Sequence, residues 1–157
     1  GKTIKVKGPK GEVERILSYP TVEIVKKDNV VAIEPKRLTK REKKIINTYE
    51  AHLKNMLKGV QETFKYEVKV CSGHFPMNVS MVGKELVIKN FYGEKVPRRS
   101  NIIDGVTVKI EGELIKIEGC DIEKVGQTAA NMEKATRITN RDRRIFQDGL
   151  WIINKGK

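Results

Sequence analysis

The 157-residue chain is 38% hydrophobic and 33% charged, a balance that is typical of globular proteins and excludes a wholly disordered chain. Its length suits one ordinary domain or two small ones. Lys and Arg outnumber Asp and Glu by 32 to 20, and the resulting net charge of +12, spread over both halves, predicts a polyanionic partner.

The first elements along the chain are short strands and turns. Gly8-Pro9-Lys10-Gly11 predicts a tight turn between strands, with Lys10 at its tip. It lacks the spacing of a phosphate-binding glycine loop. Val22–Val25 and Val30–Ile33 alternate around Lys27-Asp28-Asn29, which predicts a β-hairpin.

A helix follows this hairpin. Thr39 stands three residues before Glu42, a spacing that predicts a capping box at the start of the helix. Gly59 lies near its expected end. Apolar residues then recur at spacings of three and four, which predicts one buried helical face: Ile45, Tyr49, Leu53, Met56 and Val60.

The second half repeats this order. After a strand at Val79–Val82, the alternating residues Val106, Val108 and Ile110 pair across Glu111-Gly112 with the strand that begins at Leu114. Asp121 then caps a second helix. We expect its inner face to contain Ile122, Val125, Ala129 and Met132.

Two segments upstream of the hairpins also match. Lys7–Arg15 reads KGPKGEVER and Lys89–Arg98 reads KNFYGEKVPR, each with Gly-Glu four residues after its first Lys. The match predicts an ancient duplication. The fold class is then α+β, with two tandem antiparallel units that each pack one main helix. We expect residues 1–80 to form the first unit and residues 81–157 the second.

The sequence gives little evidence for an enzyme, a metal site or a membrane protein. His52 and His74 are the only histidines, and Cys71 with His74 has the spacing of two zinc ligands, but Cys120 is the only other thiol and a structural site needs four ligands. No apolar run approaches the ~20 residues of a membrane helix. We expect a cytoplasmic protein with reduced cysteines, no cofactor, no small-molecule substrate and no enzymatic activity.

Cations crowd the start of the first helix, where they oppose the helix dipole. A solvated surface and a binding surface are equally good explanations of this cluster. Weaker candidates for contact with RNA or protein are Lys10, Lys36, Arg37, Lys40, Arg41, Arg98 and Arg99. Lys43 and Lys44 belong to the same crowded stretch.

The strongest signal lies near the C-terminus. Lys134, Arg137, Arg141, Arg143 and Arg144 are opposed there only by Asp142. Guanidinium groups bind phosphate through two hydrogen bonds and stack on bases, so arginine enrichment favours nucleic acid. Asn140 and Gln147 add side-chain donors, whereas Phe146 is better explained as an anchor for the loop. Gly126, inside the second helix, is explained by close packing of a strand, by a bound phosphate, or as a tolerated cost in stability.

Several segments together resemble one family, the universal large-subunit ribosomal protein six in its archaeal and eukaryotic form. They are His74–Val79, Asn90–Lys95, Asp121-Ile122 with the following helix, and Asn140–Gly149, supported by Leu57–Val60 and Gly8–Gly11. The resemblance covers essentially the whole chain. It implies two tandem domains, no enzymatic activity and a place in the large ribosomal subunit.

The resemblance also implies binding sites and partners. It implies binding of large-subunit ribosomal RNA, mainly through the second domain, near the sarcin-ricin loop where translational GTPases dock, with other ribosomal proteins as neighbours. The matching positions for RNA contact are the five cations from Lys134 to Arg144, with Gly126 and Gln127 as weaker candidates. The alternative to this function is a basic scaffold that binds acidic proteins, with RNA binding incidental.

Overall fold

The computed structural model describes residues 2–27 and 30–156. The chain divides into two units, one ending at Glu62 and the other beginning at Thr63. Each unit combines antiparallel strands with one long helix, which confirms the α+β class and the repeated plan. Among the described residues, no helix has the length and apolar character to cross a membrane.

The predicted boundary after Ser80 is wrong. β5 (Phe64–Cys71) pairs with strands near the C-terminus, and β6 (Asn78–Val82) pairs with the strand that follows it. Both strands therefore belong to the second unit. Sequence periodicity reports only which residues share a face, so it did not reveal that β5 pairs with distant strands.

The first unit contains two antiparallel hairpins. Their strands are β1 (Lys2–Gly8), β2 (Gly11–Leu17), β3 (Val22–Lys27) and β4 (Val30–Pro35). Gly8 faces Gly11 across the first turn, and Val22 faces Pro35 at the open end of the second hairpin. The predicted hairpin is confirmed, although Asp28 and Asn29 of its turn lie outside the described residues.

Helix α1 (Lys40–Gln61) begins at the predicted capping residue Thr39. The Thr39 hydroxyl accepts a hydrogen bond from the Arg41 N–H at 3.3 Å and donates one to the Glu42 carboxylate. Thr21 donates a second hydrogen bond to Glu42 at 2.9 Å. These bonds from Thr39 and Thr21 lower the pKa of Glu42, so a buried carboxylate stabilises the first turn.

One face of α1 packs against the hairpins, as its apolar spacing predicts. Tyr49 joins a core with Leu17, Val22 and Ile24. Met56 and Val60 are also buried, whereas Ile45 and Leu53 are half-buried.

The Gly8–Gly11 turn holds the C-terminal end of α1. A Cβ at Gly8 would lie 2.7 Å from the Val60 carbonyl oxygen, so only glycine fits there. The Lys10 N–H donates to the same carbonyl at 3.0 Å. The turn therefore satisfies a helix-end acceptor, which gives it a structural role. Gly59 lies inside the helix, which continues to Gln61.

The second unit contains two sheets. One sheet has the strand order β11–β5–β10–β9 and the other has the order β6–β7–β8, with all neighbours antiparallel. The remaining strands are β7 (Glu85–Lys89), β8 (Arg98–Asn101), β9 (Val106–Glu111), β10 (Leu114–Gly119) and β11 (Gly149–Lys155). β9 and β10 form the predicted hairpin.

Helix α2 (Ile122–Ala135) begins at the predicted cap, where the Asp121 carboxylate accepts the Glu123 N–H at 2.9 Å. Three residues of the predicted inner face are fully buried and Ile122 is half-buried. They pack with strand residues in a single core that contains Val68, Val70, Leu86, Ile88, Phe91, Ile115, Ile117, Val125, Ala129, Met132 and Leu150.

The two matching sequence segments occupy equivalent places. Lys7–Arg15 joins β1 to β2, and Lys89–Arg98 joins β7 to β8 through a single 3₁₀ turn at Phe91–Gly93. In both units an antiparallel pair is followed by a hairpin and then by a helix. The order of elements that motivated the hypothesis of duplication is thus present in the structure.

Candidate nucleic-acid interface

The segment between α2 and β11, residues 137–148, carries most of the candidate contacts and is called the arginine loop. Its ends are held together by Thr136, whose hydroxyl accepts the Leu150 N–H at 2.9 Å and donates to the Glu133 carbonyl at 3.2 Å. Gly149 has φ +143°, and a Cβ there would lie 3.1 Å from the Thr136 hydroxyl oxygen. Glycine is therefore needed where the loop enters β11.

A second attachment joins the end of the loop to the segment after β5. The Asp148 carboxylate, only 4% exposed, accepts the His74 backbone N–H at 2.9 Å and lies 3.0 Å from His74 Nδ1. Burial raises the pKa of Asp148, but hydrogen bonds from His74 and Gly73 outweigh it and leave the pKa lowered. Because a carboxylate only accepts hydrogen bonds, we assign the imidazole proton to Nδ1.

Aromatic side chains extend this attachment. The His74 ring stacks on Phe146 with centroids 5.0 Å apart, and Tyr92 lies 5.9 Å from each ring. The Arg141 guanidinium lies 4.9 Å from the Phe146 centroid and 5.3 Å from the Tyr92 centroid. Phe146 is thus an anchor for the loop, as predicted, and it holds an arginine at the surface.

Unusual backbone conformations shape this region. Tyr92 has φ +49° and Asn90 has φ +61°, values that cost energy for residues other than glycine. Asn90 Nδ2 donates to the Pro76 carbonyl at 2.9 Å, which stabilises the turn that presents Tyr92. Asn140 has φ +59°, so this residue sets a bend in the arginine loop.

All five predicted cations are exposed: Lys134, Arg137, Arg141, Arg143 and Arg144. Among the described residues, Arg144 alone of the five is paired with a carboxylate, at 2.8 Å from Asp142, and its side chain is still 90% exposed. The hydrogen bond from Arg144 lowers the pKa of Asp142. In the part of the chain that the structure describes, no carboxylate pairs with the other four cations.

Two further side chains order the loop from within. The Trp151 indole N–H donates to the Gln147 carbonyl at 2.9 Å, and Gln147 Nε2 donates to the Arg144 carbonyl at 3.1 Å. The Arg143 guanidinium lies 5.9 Å from the Trp151 ring centroid. The Gln147 side chain therefore supports the loop that presents the arginines.

Gly126 and Gln127 are not gathered into this surface. Gly126 precedes Lys134 by about 12 Å along the helix axis, at 1.5 Å per residue. A Cβ at Gly126 would lie 3.7 Å from the Tyr66 hydroxyl, an ordinary contact, so packing against the described chain does not require glycine there. The Gln127 amide donates to Asn131 one turn later at 2.8 Å.

Arg98 is committed to the fold. It donates to both oxygens of Glu94 at 2.8 and 2.6 Å, and to the carbonyls of Ala135 and Arg137 at 3.0 and 3.2 Å. The residue satisfies orphan acceptors at the end of α2. We therefore leave it out of the proposed interface. Arg99 forms a surface ion pair with Glu85 at 3.4 Å.

The cations of the first unit are arranged differently. Lys36 pairs with Glu23 at 3.0 Å, and the Arg41 guanidinium lies 5.7 Å from the Tyr19 centroid. Arg37 and Lys40 are exposed around the start of α1, and Lys10 lies at the turn that ends at Gly11. These candidate cations are distributed over the start of a helix and a turn, and they do not lie together on one fixed loop.

The described residues near the arginine loop do not form a metal site. Cys71 and Cys120 are reduced and half-buried, and His74 is bonded to Asp148. Over residues 2–27 and 30–156, no three His, Cys, Asp or Glu side chains are grouped to hold a metal ion.

Comparison with known proteins identifies the family. The model of ribosomal protein L6 matches residues 1–63 and 75–149. The chain belongs to the ribosomal protein L6 family. It is 45% identical to large ribosomal subunit protein uL6 of Ignicoccus hospitalis, over 97% of this chain and 84% of the relative. It is 44% identical to the uL6 protein of Archaeoglobus fulgidus, over 99% of this chain and 79% of that relative.

Membership of the L6 family confirms the resemblance identified from the sequence segments. It also makes the chain a structural ribosomal protein and not an enzyme.

Proposed function

We propose that the chain binds large-subunit ribosomal RNA mainly through the arginine loop and the adjoining end of α2, near the sarcin-ricin loop. As a member of the L6 family, the chain is a component of the large subunit of the cytoplasmic ribosome, among ribosomal RNA and other ribosomal proteins. The finer proposal concerns which surface contacts the RNA and where it does so.

One observation carries this proposal: exposed guanidinium groups stand on a loop that is fixed at both ends. Thr136 and Asp148 hold the ends, and Phe146 packs on His74 close to the second end. A fixed loop loses little conformational entropy when it binds, so more of the electrostatic attraction appears as affinity. Cations on a flexible surface would lose more conformational entropy on binding, so less of their electrostatic attraction would appear as affinity.

The chemistry of these groups suits a folded RNA backbone. Arginines neutralise phosphates and release condensed counterions, which makes binding strongly dependent on salt. Side chains do not enter the narrow major groove of an RNA helix, so recognition relies on shape and on the backbone. Lys134 and Arg137 extend the cationic surface at the C-terminal end of α2, where the helix dipole also favours them.

The position near the sarcin-ricin loop rests on the family resemblance. With this position we also propose that translational GTPases come close to the chain when they dock on the ribosome. A footprint of the chain on large-subunit RNA tests this position, because protected nucleotides in or beside the sarcin-ricin hairpin support it. Protection restricted to distant helices would overturn the position and leave the loop assignment intact.

Binding to an isolated RNA fragment tests whether cations of the chain neutralise RNA phosphates. A fragment of large-subunit RNA that contains the sarcin-ricin hairpin and its neighbouring helices is titrated with the chain over a range of salt concentrations. We expect the logarithm of the binding constant to fall linearly with the logarithm of salt, by about 0.7–0.9 per phosphate neutralised. A flat salt response would contradict the proposal.

The competing function, a scaffold for acidic proteins, gives a different result in a lysate. Partners that bind through RNA are lost from a pull-down after ribonuclease treatment, whereas acidic proteins bound directly remain. We expect the large-subunit components to be lost. Arginine-rich composition of the loop favours RNA here, because solubility and general acidic partners are served equally by lysine.

A further inference from the structure

Trp151 differs from the other aromatic residues around the arginine loop. Phe146 and Tyr92 pack against His74, Arg141 or each other, and Phe91 lies under Arg98 at 4.3 Å. Among the described residues no aromatic ring packs on Trp151, which is only half-buried. Its indole N–H is already bonded to Gln147, so the orientation of the ring is fixed.

Two depressions meet at this ring. One, of about 280 Å³, lies against the end of α2 and is lined by Lys134, Arg137, Arg143 and Trp151 together with the acidic residue Glu133. The other, of about 620 Å³, is lined by Cys71, Arg143, Arg144, Gln147 and Trp151. These volumes are comparable with the ~300–1,000 Å³ of small-ligand sites. Arg143 and Trp151 line both depressions.

The surroundings favour a nucleotide over a phosphate alone. Cations line both depressions at the ring, with Lys134 in the smaller and Arg144 in the larger, so the phosphates of a nucleotide stacked on Trp151 would meet cations in either one. Glu133 disfavours a bare anion inside the smaller depression. An aromatic platform flanked by cations is how proteins bind single-stranded nucleic acid.

Arg143 fits the same arrangement. Its guanidinium carbon lies 5.9 Å from the Trp151 centroid, close to the ~6 Å limit of a cation–π contact. The contact is loose, and the exposed guanidinium is free to move outward and cover a base from its other face. Arginine planes stack on unpaired RNA bases in this way.

We propose that Trp151 is the stacking platform for one unpaired RNA nucleotide, which Arg143 covers and Lys134, Arg137 and Arg144 hold through its phosphates. This inference rests on the proposed function and adds a base contact to a surface otherwise expected to recognise only backbone and shape. It places an extruded or single-stranded nucleotide of the bound RNA beside β11.

The chain contains a single tryptophan, so its fluorescence reports on this platform alone. The probes are hexa-adenylate, the large-subunit RNA fragment, and linear polyphosphate of matched charge, which has no bases. We expect the two RNA probes to quench the emission of Trp151 at saturation. Polyphosphate binds the same cations and leaves the emission nearly unchanged, because it has nothing to stack.

A variant tests the platform independently of fluorescence. Trp151→Leu keeps an apolar side chain on β11, and we expect it to weaken hexa-adenylate binding about tenfold, or ~1.4 kcal/mol. Its affinity for polyphosphate stays within about twofold of the wild type. Phe75→Leu, which removes an exposed aromatic ring outside the loop, is the matched control and leaves both affinities unchanged. Circular dichroism establishes that each variant is folded, and if Trp151→Leu is unfolded, Trp151→Phe replaces it and the quenching comparison decides.

The outcomes separate this inference from the proposed function. Binding of the RNA fragment without quenching, or equal quenching by polyphosphate, overturns the platform while the function stands. Quenching by hexa-adenylate without binding of the fragment supports the platform and overturns the proposed function. If hexa-adenylate does not quench the emission and the RNA fragment does not bind, both the platform and the proposed function are overturned.

Discussion

The two units carry similar excesses of positive charge but use their cations differently. At the start of α1, lysines predominate on a regular helix, and one of the candidate residues, Lys36, is paired with Glu23. In the arginine loop, guanidinium groups stand on a segment fixed by the buried Asp148 and by stacked rings. The difference teaches that net charge predicts only a class of partner, whereas a fixed arrangement of arginines indicates which surface to propose as its binding site.

The largest expected effect comes from removing arginines of the loop. The triple variant Arg141→Ala, Arg143→Ala, Arg144→Ala should weaken binding of the RNA fragment roughly 100-fold at ~0.1 M salt, at about 1 kcal/mol for each contact. The salt slope should fall by about 2–3. Fluorescence anisotropy of labelled RNA measures both quantities.

The matched control for this prediction removes the same charge from α1. The triple variant Lys40→Ala, Lys43→Ala, Lys44→Ala should weaken binding less than about threefold, because these cations act only through the long-range field. Equal losses for the two triple variants would show that net charge alone decides the affinity.

Asp148→Asn tests whether the loop must be fixed. The substitution removes a charged acceptor that holds His74, and we expect the second unit to lose about 2 kcal/mol of its free energy of unfolding. Urea denaturation followed by Trp151 emission reports this unit specifically. Asp104→Asn, at an exposed ion pair with Lys84, is the control and should cost far less, because solvent screens this pair. Similar losses for both would deny Asp148 its role as an attachment.

Asp148 also makes the stability of the second unit depend on pH. The pKa of Asp148 is lower in the folded chain than its usual value of 3.8, so its stabilisation is complete above that value. It is lost as the pH falls through the lowered folded-state pKa. The difference in unfolding free energy between wild type and Asp148→Asn should therefore shrink in acid. A difference that stays constant from neutral pH to below the folded-state pKa of Asp148 would contradict the assignment.

Thr39→Ala changes the first unit alone. Loss of the helix cap, with its hydrogen bonds to Arg41 and Glu42, should cost about 1 kcal/mol of stability. Thermal unfolding followed by circular dichroism measures this loss, and Thr39→Ser should restore most of it. RNA affinity should not change. A marked loss of RNA affinity in the folded Thr39→Ala variant would assign RNA contacts to the first unit.

The smallest expected effect has the opposite sign. Asp142→Asn removes the carboxylate that pairs with Arg144 within the arginine loop, and should strengthen RNA binding about twofold to threefold. Asp104→Asn removes the same charge outside the loop and should leave binding unchanged. Weaker binding by Asp142→Asn would mean that this carboxylate positions Arg144 productively.

Local signals in the sequence were sufficient for much of the fold. Helical spacing identified the inner faces of both helices, and the caps at Thr39 and Asp121 lie where short-range hydrogen bonding requires them. Alternation identified both hairpins, because side chains of a strand point in turn to its two faces. These features depend on residues close together in the chain.

Long-range pairing was not predictable in the same way. The unit boundary was placed after Ser80 because nothing local indicates that β5 pairs with β10 and β11. His74 and Asp148 are 74 positions apart, so only the folded structure reveals their attachment. Arg98 was a candidate binding residue because it is a cation. In the structure its side chain bonds to the end of α2, which gives it a structural role.

Ultraviolet cross-linking of the chain within intact large ribosomal subunits tests the central claim most directly. Cross-linked peptides are identified by mass spectrometry after digestion of the RNA. We expect ribosomal RNA adducts on peptides that cover residues 134–151. Adducts confined to peptides of the first unit, with none on residues 134–151, would contradict the account.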